Sequence, residues 1–290
     1  MRPTIKLKGK MDITNDTIQE PMHRPSSDNG VGGEVPGLQG FPRYKLFLPH
    51  YCALDKDTAA DIIIDAAERR QSFGVTHLAV HGLVESLSSE SLGAKINRIQ
   101  MIVPDGQPIV WALNSFYKLG MRDKVSGPTL TPELFKRANE KGLSVYLYGS
   151  TQDTLDKFCL YLKTHHPKLV VCGTHADRFR DATAEEDAAD IKKINDSGAH
   201  IVLVGRGCPR QEHWVADHVG SVNSAMLAVG AAFDYHAGKL ARAPLWLQRL
   251  GLEWFYRLIQ EPRRLWRRYL VTNSIFIYLF LKHRFFVGKA

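Results

Sequence analysis

The stretch HIVLVGRGCPRQE, residues 200–212, decides the fold class of this chain. Its first five residues form a mostly apolar run of strand length. Gly205 and Gly207 follow the run, and Pro209 is suited to open a helix. A buried strand that leads through a glycine turn into a helix is the unit from which parallel α/β sheets are built.

The same alternation of apolar runs with helical periodicity continues in both directions from this stretch. We predict strands at Tyr44 to Leu48, Thr76 to Val80, Ile99 to Val103, Ser144 to Tyr148, Leu169 to Cys172, His200 to Val204 and Ala225 to Val229. We predict helices at Asp57 to Gln71, Gln107 to Tyr117, Pro132 to Glu140, Thr151 to Thr164 and Ala184 to Asn195. Strands spaced by helices need crossover connections, so the predicted fold class is α/β, with a Rossmann-like, mostly parallel sheet flanked by helices. The ligand crevice of such a sheet lies beyond the carboxyl ends of its strands.

The composition divides the chain into three parts. Residues 1–42 are polar and interrupted by Gly and Pro, which predicts a disordered segment because few apolar groups offset the entropy of ordering. Residues 43–238 contain the α/β pattern and are the predicted catalytic domain. Residues 239–290 are predicted to form a basic, helical C-terminal appendage.

Composition also excludes several classes of protein. A hydrophobic fraction of 44% excludes wholesale disorder and a collagen-like fibre. The four cysteines are scattered, which favours a reducing compartment over a disulfide scaffold. The N-terminus lacks the apolar run of a signal peptide, and no apolar stretch reaches the ~18 residues of a membrane-spanning helix. We therefore expect neither export nor an ordinary transmembrane helix.

The net charge of +8 is concentrated at the C-terminus. Residues 239–290 contain 11 Lys and Arg against two acidic residues, whereas residues 1–238 contain 27 basic against 28 acidic residues. Such asymmetry indicates a basic appendage that meets an anion, which is a nucleic acid, a membrane surface or a phosphorylated ligand.

The appendage is predicted to contain two helices, Leu245 to Leu258 and Arg263 to Leu281. Arg257, Arg264 and Arg268 share one helical face if the helix continues through the join. The 13 residues from 269 to 281 carry no charge and are followed by a cationic cluster, a pattern that suits a helix lying in a membrane interface. The alternative is a C-terminal helix buried in a homodimer.

Asp105 follows a predicted strand and precedes Gly106 and a predicted helix. A carboxylate at this position is well placed to face the crevice and act as a general base. The alternative role is a helix N-cap, in which the carboxylate accepts hydrogen bonds from backbone N–H groups.

The glycines of the opening stretch allow backbone amides to approach a phosphate, and Arg206 and Arg210 add positive charge there. The stretch is neither a complete dinucleotide-binding fingerprint nor a P-loop, so a plain tight turn is the alternative. A second small-residue segment, 230–234, ends in Asp234, which either binds a ribose hydroxyl or anchors Arg242 or a loop amide.

Signals for a metal site are weak, and we expect no metal. Asp55-Lys56-Asp57 opens a helix and is better explained as a cap than as a cation ligand pair. Neither His165-His166 nor Cys172-x-x-His175 completes a zinc ligand set. His81 follows a predicted strand and is a candidate for the crevice, although most such histidines are surface or core residues.

Taken together, these segments resemble the WecG/TagA/CpsF family of bacterial glycosyltransferases, glycosyltransferase family 26, over residues 44 to 281. The most specific matches are Val204-Gly205-x-Gly207-x-Pro209-x-Gln211-Glu212, Gly230-Ala231-Ala232-Phe233-Asp234, Gly238-Lys239-x-x-Arg242-Ala243-Pro244, Gly251-Leu252-Glu253-Trp254-Phe255-Tyr256-Arg257-Leu258 and Glu261-Pro262-x-Arg264-x-x-x-Arg268-Tyr269. Pro104-Asp105-Gly106, Ser126-Gly127-Pro128 and Tyr148-Gly149-Ser150 match as well.

The resemblance implies an inverting, metal-independent transfer of a sugar from a UDP-sugar to a polyprenyl-diphosphate-linked acceptor in surface polysaccharide synthesis. It places the protein in the cytoplasm, peripheral on the inner face of the membrane, with a homo-oligomer left open. It implies that Asp105 is the general base and that Gln211 lies at the sugar-nucleotide site. It implies further that the appendage closes over the nucleotide and touches the membrane. The expected substrate-binding residues are His81, Lys124, Gly205, Gly207, Arg210, Gln211, Asp234, Arg257, Arg264 and Arg268.

The chain departs from the family pattern at three places near the expected donor sugar. Ala79-Val80-His81 stands where the family usually carries a Thr-x-Asn-like segment. Lys124 stands where Arg is usual before the Ser-Gly-Pro segment, and Thr129 where Asp is usual soon after it. A lysine keeps the positive charge but loses the bidentate fork of an arginine, so the identity of the sugar stays open.

Two other classes of protein compete with this interpretation. A nucleic-acid-binding protein would use the arginine-rich appendage, although the long apolar runs between its cations suit lipid better than a phosphate backbone. We therefore expect no nucleic-acid partner. A Rossmann oxidoreductase would need a third glycine and an acidic ribose ligand after its first strand, which the chain lacks.

Overall fold

A computed structural model describes residues 41–287 of the chain. Local sequence signals account for many of its helix boundaries. Asp55 caps the first helix by accepting hydrogen bonds from Asp57 N at 2.9 Å and Thr58 N at 2.8 Å. The segment predicted to be disordered lies outside the described residues except for its last two.

The strands are β1 (Arg43–Lys45), β2 (His50–Cys52), β3 (Phe73–Leu78), β4 (Met101–Pro104), β5 (Ser144–Gly149), β6 (Val170–His175), β7 (Ile201–Gly205) and β8 (Ala225–Ala228). Strands β3 to β8 form one six-stranded sheet in the order β4-β3-β8-β7-β5-β6. Every pairing in this sheet is parallel, as the spacing of strands and helices predicts. Strands β1 and β2 form a separate antiparallel hairpin.

The helices connect and flank the strands. The helices before β6 are α1 (Lys56–Glu68), α2 (Val80–Ser88), α3 (Glu90–Ile96), α4 (Gln107–Tyr117), α5 (Gly127–Glu140) and α6 (Gln152–His165). The helices after β6 are α7 (Ala184–Asp196), α8 (Arg210–His218), α9 (Ala232–His236), α10 (Leu245–Arg249), α11 (Glu253–Gln260) and α12 (Pro262–Lys282). A π-helical turn, His283–Val287, follows α12. The fold is thus α/β with a helical C-terminal appendage.

Helices bury both faces of the sheet. Successive side chains of a strand point to opposite sides, so each strand contributes to two apolar cores. In β7, Ile201 and Leu203 belong to one apolar core, which includes residues of α1, α5 and α6. Val202 and Val204 belong to the other core, which includes residues of α2, α3, α4, α8 and α12. Helix α12 packs against α2, which brings the appendage over the carboxyl edge of the sheet.

The structure corrects several predicted boundaries. The predicted strand at 44–48 is the short β1 of the hairpin and takes no part in the main sheet. Strand β3 ends at Leu78, so His81 lies in the first turn of α2. Helix α5 begins at Gly127 rather than at Pro132, because Ser126 and Thr129 form a capping box that starts the helix earlier.

The predicted helix from 245 to 258 is wrong as a single helix, since α10 and α11 are separate. Gly251 between them has φ of 72°, a left-handed conformation that ends α10. None of the helices within residues 41–287 combines the length and the apolar character needed to cross a membrane.

Candidate active site

A cavity of about 290 Å³ lies beyond the carboxyl ends of β3, β4 and β8. This is the edge at which ligands bind in parallel α/β sheets. Residues of helices α11 and α12 line it as well. The cavity therefore lies where the α/β domain meets the appendage.

Helices α2, α4, α5 and α8 all begin at the cavity. Residues in the first turn of α2, α4, α5 and α8, or just before it, line its wall. The N-terminus of a helix presents unpaired N–H groups and a partial positive charge. Four such ends at one cavity favour an anionic ligand, and phosphate is the group most often bound in this way.

Asp105 lies at this cavity, directly after β4. The N-cap of α4 is Gly106, which has φ of 97° and makes no side-chain cap hydrogen bond, so the capping role predicted as the alternative for Asp105 is not observed. Burial raises the pKa of the Asp105 carboxyl to about 6; Lys124 and Arg257 oppose the rise, and Glu253 adds to it. A carboxylate with such a pKa is ionised at neutral pH and is a stronger base than an exposed aspartate.

Three arginines of the appendage line the cavity, although they lie on two separate helices rather than on one face of a continuous helix. Glu261 breaks the helix between α11 and α12, but its Oε2 accepts hydrogen bonds from Arg257 Nη2 at 3.0 Å and from Arg264 Nη2 at 2.5 Å. Arg268 lies one turn further along α12. The Arg257 guanidinium also lies 5.6 Å from the ring centroid of Tyr235. Glu261 thus pairs with two of the three arginines, so the group of three keeps a net positive charge at the cavity.

Gln211 and Glu212 lie side by side on the floor of the cavity, in the first turn of α8. Gln211 Nε2 donates to Glu212 Oε1 at 2.8 Å, and Gln211 Oε1 accepts from Gly207 N at 3.2 Å. These two bonds orient the amide of Gln211. Burial raises the pKa of Glu212, and its Oε2 has no hydrogen-bond partner among the described residues.

His81 and Lys124, both predicted to bind substrate, also line the cavity. Burial, with help from the charge of Arg268, lowers the pKa of His81 to about 4, so this imidazole is neutral at pH 7. The Lys124 ammonium forms an ion pair with Glu253, the first residue of α11. The lysine that stands in place of the usual arginine is therefore already paired with a residue of the appendage.

His77, at the end of β3, is a cavity residue that the sequence analysis missed. Its Nδ1 lies 3.2 Å from the carbonyl oxygen of Ala228, and its Nε2 is buried without a hydrogen-bond partner in the described part of the chain. Burial lowers the pKa of His77 to about 4. The available signal was that His77 lies within the strand predicted at Thr76 to Val80, four residues before His81.

Arg210 is not brought to the cavity. Its guanidinium makes two hydrogen bonds to Asp177, at 2.8 and 2.9 Å. Arg206 Nε lies 3.3 Å from the same carboxylate, whose side chain is only 2% exposed. Asp177 therefore pairs with both of the arginines that were predicted to meet a diphosphate here.

Gly205 and Asp234 also lie outside the cavity lining, whereas Gly207 belongs to it. A Cβ on Gly205 would lie 2.7 Å from the ring of Phe233, so the absence of a side chain at this position permits close packing of β7 on α9. Asp234 lies on α9, where burial raises its pKa. Arg242, considered as its partner, instead donates to Gln248 Oε1 at 3.4 Å.

The candidate metal signals resolve into other roles. Asp55 is a helix cap, as predicted, and His165 Nδ1 lies 2.9 Å from the Tyr161 carbonyl oxygen. Within the described range 41–287, no group of three or more His, Cys, Asp or Glu side chains is arranged to hold a metal ion.

The fold and the cavity define an α/β protein with a cavity at the carboxyl edge of a parallel sheet, lined by arginines, helix N-termini and a carboxylate. The chain belongs to the WecG/TagA/CpsF family of glycosyl transferases, whose profile matches residues 46–290.

A relative from Bacillus subtilis (strain 168) is 29% identical to this chain over 170 residues. Its name is N-acetylglucosaminyldiphosphoundecaprenol N-acetyl-beta-D-mannosaminyltransferase. The match covers 58% of this chain and 64% of the relative, so the chain spans just under two thirds of that protein's length.

Proposed function

We propose that this protein is an inverting glycosyltransferase, which moves a sugar from a UDP-sugar to a polyprenyl-diphosphate-linked saccharide during assembly of a bacterial surface polysaccharide. The observation that carries the proposal is the meeting, in one cavity, of Asp105 with three arginines and four helix N-termini. The name of the relative, which describes transfer to a sugar on undecaprenyl diphosphate, supports the class of acceptor.

The chemistry follows from these groups. The hydroxyl oxygen of the acceptor attacks the anomeric carbon of the donor sugar while Asp105 takes the hydroxyl proton. The bond between the anomeric carbon and the diphosphate oxygen breaks on the opposite face, and UDP leaves with the bonding electrons. A single displacement of this kind inverts the anomeric configuration.

The departing diphosphate gains negative charge, which must be stabilised. Arg257, Arg264 and Arg268 lie on the appendage side of the cavity, and the four helix N-termini lie on the sheet side. Groups of fixed orientation that face a developing charge stabilise the transition state more than the ground state. We propose that these groups serve the diphosphate without a metal ion, and chelation by EDTA should then leave turnover unchanged.

The appendage also suits attachment to a membrane surface. Of the 16 large apolar side chains that are exposed among the described residues, 12 lie between Leu245 and Phe285. Exposed cations, among them Arg263 and Arg267, lie on the same helices. An amphipathic surface of this kind binds anionic headgroups through its cations and acyl chains through its apolar side chains. We propose that it seats the protein on the inner face of the cytoplasmic membrane, next to a lipid-linked acceptor.

Ligand binding tests the proposal before any acceptor is available. A ligand that binds only the folded state raises the melting temperature, so the purified protein should be stabilised by UDP and by UDP-sugars. NAD should not stabilise it, nor should duplex DNA at physiological salt. Stabilisation by DNA alone would instead favour the nucleic-acid-binding alternative, and stabilisation by NAD the oxidoreductase. A panel of UDP-sugars with a polyprenyl-diphosphate-linked N-acetylglucosamine acceptor then identifies the donor.

A further inference from the structure

The ion pair between Lys124 and Glu253 joins the α/β domain to the appendage. Lys124 lies between α4 and α5, and Glu253 is the first residue of α11. Their side chains are only 14% and 11% exposed, and both line the cavity. A pair so far removed from water is costly to break by removing one partner, because the other charge is left without compensation.

Both members of the pair act on Asp105. The charge of Lys124 stabilises the ionised Asp105 carboxylate, whereas the charge of Glu253 destabilises it. Among the described residues, Arg257 on α11, Tyr269 on α12, Tyr235 on α9 and Tyr51 on β2 also interact with Asp105. Arg257 is itself engaged by Glu261 and lies against the ring of Tyr235.

The position of Glu253 therefore determines which carboxylate forms an ion pair with Lys124. With α11 in its observed place, the ammonium of Lys124 is paired with Glu253. If α11 moves away, Glu253 leaves with it, and Asp105 becomes the anion available to Lys124. A carboxylate paired with a lysine holds its negative charge more firmly and is a weaker base.

We propose that Glu253 is a positioning residue, which holds Lys124 in an ion pair and so weakens the hold of the lysine charge on Asp105 while the appendage is docked. This inference rests on the proposed function, in which Asp105 is the general base. Its consequence is that the base is strongest when the appendage closes the cavity. An open cavity, which admits water beside the donor, then contains a weaker base, and hydrolysis of the donor is slowed.

The test compares Glu253→Gln with Lys124→Gln and with the double variant. The first readout is the titration of the Asp105 side-chain carboxyl, followed by ¹³C NMR without substrate and identified by its loss in Asp105→Asn. Glu253→Gln should lower the midpoint by roughly one pH unit, because Lys124 turns to Asp105. Lys124→Gln should raise the midpoint, and the double variant should lie between the two single variants.

Glu133→Gln is the matched control, since it removes a carboxylate from ion pairs with Lys56 and Arg137 away from the cavity. It should leave the Asp105 midpoint unchanged. Glu253→Asp, which keeps the carboxylate, should have an Asp105 midpoint close to that of the wild type. A role limited to holding the appendage in place would lower activity in both single variants without moving the two midpoints in opposite directions.

Midpoints that shift in the same direction in the two single variants, or that do not shift, overturn the inference. Should Glu253→Gln fail to fold, Lys124→Gln decides alone, since an unchanged or lowered midpoint in that variant contradicts the account. This titration needs no turnover, so a wild-type protein that transfers no sugar would refute the proposed function without deciding the inference. The acid limb of kcat/KM, where turnover is measured, should move in the same directions as the NMR midpoints.

Discussion

Asp105 lowers the stability of the folded protein at neutral pH and, in the proposed mechanism, is the group on which transfer depends. Its folded-state pKa of about 6 lies above the ordinary value of 3.8. The folded state therefore binds this proton more tightly than the unfolded state does. The stabilising contribution of the group is complete below about pH 3.8 and is lost as the pH rises through about 6.

The variant Asp105→Asn should accordingly be at least as stable as the wild type at pH 7.5, because it removes a carboxylate that is ionised in a partly buried place. Its advantage in melting temperature should shrink as the pH falls from about 6 towards about 4. Thermal unfolding at a series of pH values measures this difference. A variant that melts well below the wild type at pH 7.5 would show that Asp105 is a structural residue.

The pH dependence of turnover gives a second prediction at the same residue. Because the base must be ionised to accept a proton, kcat/KM should fall on the acid side with an apparent pKa near 6. His77 and His81, whose pKa values are lowered to about 4, should not contribute to this limb. Initial rates between pH 4.5 and 8.5 in a buffer of constant ionic strength provide the profile. An acid limb near pH 4 would show that the carboxylate is not held in the environment described here.

Sequence alone identified Asp105 because it follows a strand at the edge where ligands bind, and it identified Gln211 through the family resemblance. It placed Arg210 at the same edge, where the structure instead pairs this side chain with Asp177. Those two residues are 33 positions apart in the chain, and spacing does not reveal which anion an arginine meets. Glu253 was missed as a site residue for the same reason, since its partner Lys124 is 129 positions away.

At the scale of the element, α11 and α12 act as one surface although Glu261 separates them. Arg257 of α11 lines the cavity together with Arg264 and Arg268 of α12. The separation of α10 from α11 at Gly251 was not predicted. A Cβ at Gly251 would lie 3.3 Å from Gln107 Cβ and 3.6 Å from the Trp111 ring, so packing against α4 accompanies the left-handed turn.

We expect the arginines of α11 and α12 that line the cavity to contribute to nucleotide affinity. Arg257→Gln should weaken binding of UDP by roughly 10- to 100-fold, the effect of losing one charge-assisted hydrogen bond to a buried anion. Arg263→Gln is the matched control, since this arginine is exposed on α12 and does not line the cavity. Isothermal titration with UDP measures both. Equal affinity in Arg257→Gln and the wild type would contradict binding of the diphosphate by the appendage.

At the scale of the whole molecule, the net charge and the exposed apolar surface coincide. The basic excess predicted from residues 239–290 lies on the helices that also expose most of the large apolar side chains. The position of this surface beside the cavity mouth depends on the packing of α12 against α2, a contact between segments some 190 residues apart. Composition predicted that the appendage is basic, whereas its place over the active-site edge required the fold.

Binding to vesicles tests the membrane role of this surface. The full chain should bind vesicles that contain anionic lipid, and should bind purely zwitterionic vesicles less tightly. The double variant Trp266→Ser, Leu270→Ser replaces two exposed apolar side chains of α12 and should reduce vesicle binding several-fold. Its thermal stabilisation by UDP should be unchanged, since neither residue lines the cavity. A wild-type protein that ignores vesicles and forms a dimer, which the double variant disrupts, would show that this surface is a subunit interface.

In the proposed function, Asp105 acts as the base in transfer of a sugar to a lipid-linked acceptor. The most direct measurement is turnover of the wild type, Asp105→Asn and the control Asp196→Asn, an exposed aspartate at the end of α7. Each is supplied with the UDP-sugar that stabilises it and a polyprenyl-diphosphate-linked acceptor. We predict that Asp105→Asn loses ~10²- to 10⁴-fold in kcat while it still binds UDP, that Asp196→Asn matches the wild type, and that the product has inverted configuration. Unchanged turnover in Asp105→Asn, or a product with retained configuration, would contradict the account.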